Sequence, residues 1–114
     1  MPEFMSRATA ACERIIPGGP VVSYGHLGDG SLHFNVSQPA GAERAEFLAK
    51  GPQLNRAIHD LVDQFGGSIS AEHGIGRLKR DELARYKDPV ALEVMRSIKL
   101  TLDPRGIMNP GKVL

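Results

Sequence analysis

A chain of 114 residues with 14 basic and 13 acidic side chains, formal net charge +1, suits one domain; at this size roughly two-thirds of the unfolded surface is buried on folding. Lys and Arg are scattered among the acids, so there is no electrostatic footprint for nucleic acid or an anionic membrane, and a small or neutral partner is implied. Cys12 is the only cysteine, which excludes an internal disulfide framework and fits a reducing compartment such as the cytoplasm.

The first residues, Met1 to Phe4, precede a second methionine at Met5 and lack the basic and apolar regions of a signal peptide. They read as an expression-vector remnant, leaving residues 5–114 as the domain. Ser6 to Ile16 is expected to form a short helix, ended by Pro17, Gly18, Gly19 and Pro20. Val21 to Leu27 and Leu32 to Val36 are short runs rich in β-branched and aromatic residues, separated by the turn dipeptide Asp29-Gly30. Leu54, Ile58, Leu61, Val62 and Phe65 recur at helical spacing, predicting an amphipathic helix from Gln53 to Phe65 that stops at Gly66 and Gly67. A buried strand at Ser68 to Ser70 and a short helix over Arg77 to Tyr86 follow. Ala91, Val94, Met95, Ile98 and Leu102 mark one face of a last helix ending before Pro104 and Gly106, and the tail is irregular. No apolar run is long enough to cross a bilayer. The pattern predicts an α+β fold, a small antiparallel sheet with helices packed on one face.

The hairpin carries the first candidate site. A two-residue turn at Asp29-Gly30 would pair His26 with His33 directly, with β-carbons about 4.5 to 5.5 Å apart. Both rings could then reach one metal ion. Side-chain alternation puts Tyr24 and Asn35 on the histidine face, and Leu27, Leu32, Phe34 and Val36 on the other. The plain alternative is a surface hairpin with solvated histidines.

The second constellation is SAEHGIGRLKRDEL, residues 70 to 83. Neighbouring strand residues point oppositely, so Glu72 and His73 serve one site only if the backbone bends, as Gly74 and Gly76 permit. Glu72 with His26 and His33 would make two nitrogens and an oxygen with an open position, the arrangement of a catalytic zinc. His73 would stay available as a base. The alternative is a strand end followed by a glycine turn. Gly74-Ile75-Gly76 is too short for a dinucleotide fingerprint. His59 reads as a solvated or capping residue, and Arg77, Lys79 and Arg80 as part of a solvated mixed-charge face.

GHLGDGSLHFNV, SAEHGIGRLK and the tail LDPRGIMNPGKVL, in this order and near these separations, resemble the C-terminal part of the FAD-linked oxidase family. That family includes the glycolate oxidase flavin subunit, D-lactate dehydrogenases and D-2-hydroxyglutarate dehydrogenase. The resemblance spans Pro20 to Leu114. Ser31 departs from the asparagine usual in the family, which bears on loop geometry beside His33.

The resemblance implies a fragment of the cap or substrate domain of a larger flavoenzyme acting on a D-2-hydroxy acid, the fragment alone being inactive. It implies that His26, His33 and Glu72 ligate a divalent metal, usually zinc. It implies that His73 is the base acting on substrate, that Asn35 contacts substrate, and that Asn109 and Lys112 face the flavin. FAD itself would be bound mainly by an N-terminal domain, which with the substrate and a downstream electron acceptor completes the expected partners. Self-association, and membrane association through partner subunits, are compatible with this class. A non-catalytic module, in which the same hairpin holds a structural ion or supports subunit contact, is the reading from a different class.

Overall fold

The computed structural model describes residues 1–114, which divide into two units, Met1–Ala71 and Glu72–Leu114. The order of elements is α1 (Pro2–Ile15), β1 (Val21–His26), β2 (Ser31–Val36), α2 (Arg44–Ala49), α3 (Gly51–Gln64), α4 (Arg80–Tyr86) and α5 (Pro89–Leu102). This is the expected α+β class. No helix is long and apolar enough to cross a membrane.

In the first unit, α1 carries Ala8, Ala11 and Cys12 at helical spacing, and all three are buried. Their small side chains let α1 lie close to α3, whose Leu54 and Leu61 are the buried members of its apolar stripe. Phe34 of β2 joins both clusters of core side chains, while Val21 and Val36 join the one around Cys12, Ile16 and Leu54. One face of the hairpin is therefore covered by two helices. Burial pushes the Cys12 thiol pKa up, so this lone cysteine is an inert packing group.

Residues Pro2 to Phe4, read from the sequence as a vector remnant, form the first turn of α1. Pro at the start of a helix costs nothing, because its missing N–H would have no intrahelical partner there. Phe4 packs edge-to-face on Phe34 and Phe65, with ring centroids 6.5 and 5.7 Å apart. The periodicity that marks the helix thus begins before Ser6. Helix α2 was not expected; it is six residues long and buries none of them, so it leaves no apolar period in the sequence.

The hairpin register corrects the predicted one. Tyr24 pairs with His33, Gly25 with Leu32 and His26 with Ser31, so the loop is the four residues 27–30 and the histidines are not directly opposed. A two-residue type I′ turn needs positive φ at both central residues. Gly30 adopts φ +72°, but Asp29 is not among the residues with positive φ. Instead the Asp29 carboxylate accepts a hydrogen bond from the Ser31 N–H at 2.9 Å, a side-chain closure that a wider loop allows. Leu27, expected on the apolar face, sits in this loop and is 87% exposed.

The predicted strand at Ser68–Ser70 does not form, and the sheet has two strands. Ser68 Oγ instead bonds the Ser70 backbone, receiving its N–H at 3.3 Å and donating to its carbonyl at 3.1 Å. Such local side-chain bonds compete with a ladder.

In the second unit, α4 starts at Arg80, later than expected, because Gly76 takes φ +57° and residues 76–79 turn first. Helix α5 begins with Pro89 behind an Asp88 cap whose carboxylate accepts from the Ala91 N–H at 3.0 Å. Only Leu92 and Asp103 are buried in this unit.

Candidate functional site

The hairpin positions half of the candidate residues. Alternation along the observed register puts Val22, Tyr24 and His26 on one face with Asn35, His33 and Ser31, opposite the Val21, Phe34 and Val36 face that packs on the helices. The register differs from the predicted one by two residues, and an even shift keeps every side chain on its face. His26 and His33 remain on one surface, one diagonal step apart instead of directly opposed. Diagonal neighbours lie about 7–8 Å apart at the backbone, within reach of two imidazoles converging on one ion. Tyr24, directly across from His33, stacks on it with ring centroids 4.9 Å apart and planes 15° from parallel. His33 is half-buried; Tyr24, His26 and Asn35 are exposed.

The other candidates belong to the second unit. Glu72 and His73 are exposed and enter a turn in which Gly74 and Gly76 take φ +69° and +57°, the left-handed region that glycine tolerates. The bend required by the sequence reading is therefore present. Within each unit taken by itself, no group of three or more His, Cys, Asp or Glu side chains stands ready to hold a metal ion. The hairpin offers two donors of a set, and their chemistry, imidazole nitrogen, suits zinc.

The tail is laid against that same turn. The Val113 N–H donates to the Gly76 carbonyl at 2.8 Å, and Lys112 Nζ donates to Asn109 Oδ1 at 3.3 Å. Asn109 at φ +48° and Val113 at φ +69° are both in left-handed backbone. Asparagine accepts this readily, whereas for a β-branched valine it is strained, and such strain concentrates at functional loops.

Sequence reasoning missed the residue that shapes this tail. Asp103 is buried at the end of α5, where its carboxylate accepts from Lys99 Nζ at 2.5 Å and from the backbone N–H groups of Ile107 and Met108 at 3.0 and 2.9 Å. Lys99 Nζ also donates to the Met108 carbonyl. An Asp before Pro at a helix end was the available signal. The hydrogen bond from Lys99 holds the Asp103 carboxyl below the usual carboxylate range; burial opposes it, and the Met108 and Ile107 backbone donors add to the lowering. A depressed folded-state pKa stabilises the loop fully above the unfolded value of about 3.9, and the stabilisation is lost as pH falls through the folded value. Protection of the Ile107 and Met108 amides against hydrogen exchange, relative to the intrinsic rate at each pH, should fall on that acid side, and Asp103→Asn should already lower it at neutral pH. Equal protection in the variant would refute this role.

A cavity of about 690 Å³ lies in the first unit, walled by Phe34, Leu54, Ile58, Val62 and Phe65. His59, expected to be solvated or capping, is half-buried and lines it.

A helix-backed hairpin with two imidazoles on one face, followed by a carboxylate-imidazole turn and a closing tail, makes up an α+β domain. The chain belongs to the family of FAD linked oxidases, C-terminal domain, whose model matches residues 1–113. It is 40% identical to a D-2-hydroxyglutarate dehydrogenase of Stutzerimonas stutzeri over 113 residues, 99% of this chain and 24% of that protein. It is 46% identical over 94 residues, 82% of this chain and 16% of that protein, to the mitochondrial D-2-hydroxyglutarate dehydrogenase of Bos taurus. Against the corresponding protein of Arabidopsis thaliana the identity is 43% over 94 residues. The chain thus spans about a quarter or less of the length of these relatives.

Proposed function

We propose that this chain is the substrate-side C-terminal domain of an FAD-dependent dehydrogenase that oxidises a D-2-hydroxy acid, with 2-hydroxyglutarate favoured over glycolate or D-lactate. The names of the relatives support that choice. The observation that carries the reading is the single face of the hairpin that holds His26, His33 and Asn35.

On this reading His26 and His33 donate imidazole nitrogens, and Glu72 a carboxylate oxygen, to a divalent ion, zinc by the chemistry of the donor set. When bound, the ion supplies a Lewis acid beside the substrate hydroxyl and FAD supplies the hydride acceptor. His73 takes the hydroxyl proton on its imidazole nitrogen. Imidazole suits this because it changes protonation nearest neutral pH. Asn35 contributes amide hydrogen bonds that orient the acid on the histidine face. Asn109 and Lys112, joined to each other and carried on the tail beside the Gly76 carbonyl, serve the flavin side. FAD is held mainly by a separate flavin domain, electrons pass to a downstream acceptor in the cytoplasm, and the chain by itself is inactive.

Calorimetric titration of the chain with zinc tests the proposal. One bound ion is expected, and His26→Ala and Glu72→Ala should each weaken it by more than the roughly 10–100-fold typical of outer-shell changes. Failure to bind zinc, or binding that survives both substitutions, would remove the metal site.

A further inference from the structure

Tyr24 has no role in the assignments above, yet its ring makes a close, flat contact on the histidine face. It is 61% exposed, so its ring is not held there by the core. Its phenol lies over the His33 imidazole with planes 15° from parallel and centroids 4.9 Å apart. The two residues are direct cross-strand partners, and His26 is the next residue of β1 on the same face. Tyr24 therefore neighbours both imidazoles.

We infer that Tyr24 is a positioning residue that fixes the plane of the His33 ring for metal ligation. The second side-chain torsion of histidine is broad, so the torsion by itself does not fix the ring plane. A metal accepts the nitrogen lone pair only within the ring plane. Stacking against a flat neighbour confines that plane, because rotating the imidazole would separate the rings and expose both apolar faces. Holding the ligand in its bound orientation removes an ordering cost that ion binding would otherwise meet, as hydrogen-bonded outer-shell partners do at other metal centres. The phenol hydroxyl has no part in this, so phenylalanine should replace tyrosine. Because β1 and β2 hold the pair in register through Ser23–Phe34 and Gly25–Leu32 on either side, the stack does not depend on the loop.

The inference rests on His33 being a metal ligand, and the experiment separates the two. In the metal-free chain, the His33 ring protons should show an upfield ring-current displacement by NMR. That displacement should be retained in Tyr24→Phe and abolished in Tyr24→Leu, which keeps bulk on the strand without a flat ring. Zinc affinity, read by competition with a chromophoric chelator, should fall roughly 10–100-fold in Tyr24→Leu and stay near wild type in Tyr24→Phe. Backbone amide shifts of the Val21–Val36 pair report that the hairpin is intact. Wild-type zinc affinity in Tyr24→Leu, with His33→Ala losing the ion, would overturn the positioning role alone. Weak binding in Tyr24→Phe as well would overturn the stacking account. Unchanged affinity in His33→Ala would overturn the metal assignment and this inference with it.

Discussion

His73→Ala, made in a protein that carries this chain together with its flavin domain, is expected to lower kcat by roughly 10²–10⁴-fold while leaving zinc affinity unchanged. The size follows from the role. On the proposed assignment, removing the base takes away one proton acceptor and leaves the proposed metal ligands untouched. His73 sits between Glu72 and Gly74 at a bend that the Val113 N–H secures from the tail by bonding Gly76, so an alanine there should not disturb the backbone. Its side chain is exposed, and the substitution leaves no cavity. Steady-state turnover and zinc titration on the same preparation check the prediction. Parallel loss of zinc and turnover would make His73 a ligand, and undiminished turnover would end its role as base. Partial rescue by added imidazole would support the assignment.

Gly25→Ala is expected to break the β1–β2 ladder at the centre of the proposed site. A β-carbon at Gly25 would stand 2.1 Å from the Ser31 carbonyl oxygen and 3.0 Å from Leu32 Cα. Both are backbone atoms, so no side-chain rotation relieves the clash and the strands must separate. Overpacking of this kind costs about 1–3 kcal/mol. For a domain of this size each kcal/mol lowers Tm by roughly 4–8 °C. The same separation should part Tyr24 from His33, seen as loss of ring-to-ring NOEs. Gly28→Ala is the control, since nothing lies within 4 Å of its β-carbon and its φ is not positive. A Gly25 variant as stable as the Gly28 variant would show that the strands are not as close as described.

Much of the candidate site was legible because its residues cluster in two short stretches, and short stretches obey local rules. The GHLGDGSLH segment folds back on itself, and side-chain parity along each strand puts His26, His33 and Asn35 on one face whatever the even offset between strands. Glu72 and His73 precede two glycines, and both glycines do adopt left-handed backbone. Asp103 escaped although Lys99 stands one helical turn before it, because its other partners, the Ile107 and Met108 backbone N–H groups, lie beyond α5 in a loop that carries no periodicity. Tyr24 was placed on the correct face, but its stack on His33 depends on which residue stands opposite, and that pairing was misread.

The helical stripe of α3, the existence of α5 and of the hairpin, the hairpin's two faces and the α+β class were set by spacing in the sequence, since each depends on interactions only a few residues apart. The stripe read on α5 was not, because Val94, Ile98 and Leu102 are exposed and Leu92 is the residue α5 buries. The register of the hairpin, the loss of the strand at Ser68–Ser70 and the fold of the tail were decided only in three dimensions. Each turns on competition between alternative hydrogen bonds: Asp29 with Ser31, Ser68 with Ser70, and Asp103 with Ile107 and Met108. Such competitors differ by about 1 kcal/mol, and packing of the surrounding backbone selects among them.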